Sequence, residues 1–162
     1  MGPSELHLVG AMPVYLLFGF IPTLFGFGLG LLVQALVFEP QDMAHLAVNF
    51  LSLAVPLLTV HHTLGKKMQG ISVANVLKLD AVYYAGVTLM VGFWLSISND
   101  AAPVADWALF AASYVSLVAI EPLLTIALVA LVGHLRGSRW LAACIDEGLL
   151  RRAAPAALSA AA

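Results

Sequence analysis

The chain has 162 residues, 62% of them hydrophobic and 10% charged, with a net charge of -2 and a mean hydropathy of +0.98. An ordinary soluble domain carries about 25% charged residues, so this composition cannot clothe a water-facing surface and points to lipid as the main solvent. The charge balance argues against nucleic acid as a partner, and the lone cysteine, Cys144, excludes an intrachain disulfide and a Cys-rich metal cluster.

In chain order, the segment Glu5-Leu6-His7 comes first. A Glu and a His two apart can share a divalent ion at a helix mouth; the alternative is an interfacial polar cap. Leu6 to Phe38 follows, 33 residues without a formal charge. As one helix it would run about 50 Å, against a hydrocarbon core of roughly 30 Å. With Pro13 and Pro22 inside it, it reads as a half-helix over 6–20 opening on the outer side, a break near Pro22, and a full span over 22–38. Broken backbone at membrane depth persists only where protein or a cavity covers it. Three plainer spans follow over 45–64, 79–98 and 107–134.

All seven Lys and Arg residues fall on one side of this alternation: Lys66, Lys67 and Lys78 in one loop, and Arg136, Arg139, Arg151 and Arg152 after the last span. By the positive-inside rule that side is cytoplasmic, which puts the C-terminus there too. Trp94 and Trp107 flank an outer loop, as interface anchors do. Residues 135–162 read as a cytoplasmic surface helix, containing Trp140 and Cys144, with an Ala-rich tail. The expected fold is therefore all-α: a polytopic transmembrane helix bundle over 1–134, of about four spans plus a short half-helix.

Several polar residues lie within the apolar runs. Glu121, followed by Pro122, falls near the middle of the last span. An ionisable group there costs several kcal/mol unless paired, solvated or protonated; it is either a functional carboxylate or a structural one bonded to a neighbouring helix. Asn49, four residues after His45, reads as a hydrogen-bonding partner of a facing helix. His61 and His62, followed by Lys66 and Lys67, read as snorkelling interface residues, and Asp80 as an interface ion pair with Lys78. The Gly26-Phe-Gly-Leu-Gly30 string follows no strand and is no dinucleotide motif. No P-loop, HExxH, CxxC or nucleophile elbow occurs, so no ATP hydrolysis or other catalysis is expected of the chain itself.

Four strings in order carry a resemblance: residues 2–8 (Gly-Pro-Ser-Glu-Leu-His-Leu), 29–36 (Leu-Gly-Leu-Leu-Val-Gln-Ala-Leu), 47–53 (Ala-Val-Asn-Phe-Leu-Ser-Leu) and 119–125 (Ala-Ile-Glu-Pro-Leu-Leu-Thr). Together they resemble CbiM/NikM proteins, the substrate-specific membrane subunits of energy-coupling-factor ABC transporters for cobalt and nickel. The resemblance runs from residue 2 to about residue 134. It implies a multi-pass subunit of the cell (inner) membrane that imports Co²⁺ or Ni²⁺ as substrate and holds no permanent cofactor. Its partners would be the lipid bilayer, a transmembrane coupling protein and cytoplasmic ATPase subunits.

Members of that family begin with a Met-His segment that chelates the metal, followed by two helices and a His-Pro-x-Gly string. Gly2 aligns with the glycine of that string, so the resemblance implies that these ligands lie upstream of Met1. The chain alone is then expected to bind metal poorly. Glu5 and His7 remain as candidate metal ligands, with Asn49 and Glu121 as polar positions inside matching strings. The competing reading is a structural or assembly subunit of a larger membrane complex; a membrane enzyme using Glu121 as acid or base ranks behind both.

Overall fold

The computed structural model describes residues 10–68, 72–97 and 104–134, together with Ile145. Those residues form five α-helices: α1 (Ala11–Phe18), α2 (Phe20–Val37), α3 (Leu46–Thr63), α4 (Val73–Ile97) and α5 (Val104–His134). Short 3₁₀ turns at Pro40–His45 and Gly65–Lys67 flank α3. No strand occurs among the described residues. Four of the helical segments are long and apolar enough to cross a membrane, and α1 is the half-helix. The fold is thus an all-α polytopic bundle.

The half-helix differs from the expected one in two respects, and both have local causes. Its break falls at Gly19 rather than at Pro22. Gly19 has φ 85° and ψ 179°, a region open essentially to glycine alone. Pro13 and Pro22 sit instead in the first turns of α1 and α2, where the missing N–H would have had no helical partner anyway. The proline rings therefore open helices here and the glycine turns the chain.

The second difference is depth. The described start of α1 does not lie at the bundle end opposite the lysines. The helix begins beside Glu121, well inside α5, and its Tyr15 reaches His61 at the Gly65–Lys67 end of α3. Phe20, at the start of α2, stacks on His61 with ring centroids 4.4 Å apart. So α1 runs from mid-bundle toward the lysine end, and α2 then traverses the bundle in the opposite sense. Eight residues span only about 12 Å, which confines α1 to this half of the bundle.

α4 begins six residues earlier than expected because Ser72 caps it: the Ser72 hydroxyl accepts the Asn75 N–H at 3.2 Å. The helices bury Met12, Tyr15 and Leu16 of α1 against Phe27, Leu57, Val60, Leu79, Tyr83 and Tyr84. Large apolar side chains face outward in a stripe along α2, at Ile21, Phe25, Leu29, Val33 and Leu36. An apolar exposure this continuous is a surface for lipid rather than water. α3 and α4 meet closely at Gly86, where an added Cβ would lie 2.9 Å from the Pro56 Cβ. The proposed surface helix at 135–162, including Trp140 and Cys144, lies outside the described residues apart from Ile145.

Candidate functional site

Glu121 is 1% exposed and sits where α1, α4 and α5 converge. Its Oε1 accepts the backbone N–H of Met12 at 3.0 Å, and its Oε2 accepts the Tyr84 hydroxyl. The backbone N–H of Gly10 also faces this carboxylate. Gly10 is the N-cap of α1, with φ 110° and no side chain of its own to cap with. The first-turn N–H groups of a helix have no partner within it, and they carry a partial positive charge that favours an anion. Glu121 supplies a carboxyl acceptor there from a helix 109 residues away in the chain. Pro13 brings no N–H that would need satisfying, so the α1 start needs few donors met.

On α5, Thr125 is fully buried, but its hydroxyl donates to the backbone carbonyl of Glu121 at 2.8 Å within the helix and leaves the carboxylate to its other partners. On α4, the Tyr84 ring stacks on Tyr114 at 4.9 Å and meets Tyr83 edge-on at 5.2 Å. Phe110 closes on Tyr114, also at 4.9 Å. These ring contacts leave the Tyr84 hydroxyl little freedom but to point at Glu121. Hydrogen bonds to a charged group contribute about 1.5–3 kcal/mol each, enough to retain a carboxylate in the bundle interior.

Of the other residues singled out in the sequence, Glu5 and His7 lie outside the described residues. Asn49 is half-buried near the Pro40–His45 end of α3, and no hydrogen bond joins it to Glu121 or to a facing helix among the described residues. The two histidines part company. His61 turns inward to share a 2.9 Å hydrogen bond with Tyr15, rather than snorkelling, whereas His62 is exposed and pairs with Lys66 at 3.1 Å. No cluster of three or more metal-capable side chains occurs among the described residues.

Asp80 corrects the sequence reading most sharply. It does not pair with Lys78, which is exposed on another face of α4. Asp80 is fully buried, and neither of its oxygens has a hydrogen-bond partner among the described residues. Residues two apart on a helix do not face each other, whereas the buried set Val76, Leu79, Asp80, Tyr83, Tyr84 and Val87 does share one face. That spacing of three and four was the signal for an inward Asp80.

Comparison with curated proteins and with solved structures gives no match. A family model described as the cobalt uptake substrate-specific transmembrane region, CbiM, matches residues 1–138. That range takes in every helix of the bundle. The chain therefore belongs to the CbiM family of transmembrane components of cobalt uptake.

Proposed function

We propose that this chain is the substrate-specific membrane subunit of an energy-coupling-factor transporter that imports Co²⁺ or Ni²⁺. The observation that carries the reading is the family match along the whole bundle. The sequence holds no nucleotide-binding motif, so energy would come from separate ATPase subunits through a transmembrane coupling protein. Imidazole nitrogen suits both ions, and in this reading Glu5 and His7 contribute donors just upstream of α1. Two donors do not complete a selective coordination shell, so further ligands come from other residues. Glu121 is a positioning residue: by capping α1 it fixes where that helix begins, directly after the sequence segment that carries Glu5 and His7. Asn49 is a second intramembrane polar position, on α3. The lysine-bearing end would face the cytoplasm of a cell-membrane protein, as the Lys and Arg distribution supports.

The test is uptake of labelled Co²⁺ and Ni²⁺ by cells that carry this chain, the ATPase and the coupling protein and lack other importers. Accumulation is expected only when all three are present and should be stronger when the family's Met-His segment and helices precede the chain, and His7→Ala should lower it several-fold with the protein still in the membrane. Accumulation independent of this chain would sink the reading. Accumulation unchanged in Glu5→Ala, His7→Ala and the double variant would remove these two residues from the metal path.

A further inference from the structure

Asp80 takes no part in capping α1, and nothing described so far explains it. It lies seven residues into α4, about 10 Å along the helix axis, and is 0% exposed. Both of its oxygens, and the hydroxyl of Tyr83 one turn along the same face, are buried without a hydrogen-bond partner among the described residues. The titratable groups around it offer no compensation. From α5 comes Glu121, close enough for the two carboxylates to oppose each other; from α4 itself come Tyr84 and, one turn along the same face, Tyr83. Tyr15 of α1 is engaged with His61 of α3. The buried residues of α3 (Ser52, Leu53, Ala54, Pro56, Leu57 and Val60) and of α2 (Thr23, Phe27, Leu31 and Ala35) carry no charge.

An ionised carboxylate with no donor, no cation and a second carboxylate nearby is the costliest state a membrane-embedded group can adopt. Two kinds of guest would relieve it. A metal ion takes several donors in a defined geometry, but both oxygens of Glu121 are already engaged by Met12 and Tyr84. No three-membered set of metal-capable groups exists among the described residues. A proton needs one oxygen and no coordination shell. We propose that Asp80 is a proton-binding site inside the bundle, occupied at neutral pH. The uptake step is simple: one Asp80 oxygen takes a proton from hydronium, leaving water and a neutral acid. Glu121 then remains the sole carboxylate of the pair, satisfied by its own donors.

Infrared spectroscopy of the full chain in lipid nanodiscs at neutral pH tests this. The carbonyl band of a protonated carboxylic acid is expected, and labelling the aspartate carboxyls with ¹³C should shift it to lower frequency. The band should vanish in Asp80→Asn and persist in Glu121→Gln. Absence of the band in the wild-type protein, indifference to aspartate labelling, or survival in Asp80→Asn would each overturn the proposal. Should Asp80→Asn fail to fold, the labelled wild-type chain decides alone. A thermal melt gives a second reading. A proton held in the folded chain and released on unfolding makes stability fall as pH rises, so the wild-type melting temperature should drop toward alkaline pH. Asp80→Asn, neutral at every pH, should lose that slope; retention of the wild-type slope would overturn the proposal.

Discussion

A helix as short as α1 leaves about as many backbone groups unpaired at its ends as it pairs within itself, so the residue that caps it governs it. Glu121→Ala removes the acceptor of the Met12 N–H and of the Tyr84 hydroxyl together. The expected cost is about 3–6 kcal/mol, since two bonds to a carboxylate are lost; detergent-solubilised protein should melt well below wild type. Glu121→Gln keeps an oxygen for Met12 and an amide that the Tyr84 oxygen can accept, so it should lose less than half of that. Equal losses in the two variants would mean that the charge, not the hydrogen bonding, is what α1 requires. The sequence marked Glu121 by its depth in an apolar run, but could not show its partner, because a backbone N–H leaves no trace in residue identity. Asp80 differs for the opposite reason: the nearby Lys78 is a plausible partner in sequence, whereas its inward face shows only in the helical spacing to Tyr83 and Tyr84.

At the level of elements, the break between α1 and α2 separates two residue types that sequence reading treats alike. Gly19→Ala forces a Cβ into a backbone region that costs of order 1–3 kcal/mol for a non-glycine residue, whereas Pro22→Ala leaves an ordinary first-turn position. Thermal melts should therefore show a large loss for Gly19→Ala and little change for Pro22→Ala; the reverse order would restore the proline as the breaker. Gly86 is a different case, being needed for closeness rather than for torsion. Its approach to Pro56 joins α3 to α4, and Gly86→Val should drive the two helices apart and lower the yield of folded protein. Hydropathy alone located the four spans to within a few residues, apart from the early start of α4. The depth at which α1 begins is not legible, because it depends on which distant helix accepts its N-terminus.

Across the whole molecule, the segregation of Lys and Arg carries a prediction about sidedness. A reporter fused after Lys67 should score as cytoplasmic, and one fused near Asp100 should not; agreement between the two would mean that the number of crossings is wrong. The bundle shape was accessible from composition, since a chain 62% hydrophobic and 10% charged has few other ways to fold. The interior chemistry was less so. Glu121, Asp80 and three tyrosines converge from two helices, and that convergence is a property of packing rather than of any local string.

The pairing of Met12 with Glu121 also sets a schedule. Both partners belong to one chain made from its N-terminus, so α1 leaves the ribosome 109 residues before its anchor exists. During that interval the start of α1 has neither its cap nor the α5 surface to lie against, and it must be tolerated by the insertion machinery or by lipid. The final span is thus the clasp of the assembly, and a nascent chain arrested after α4 should leave the half-helix open to proteases that the finished protein resists.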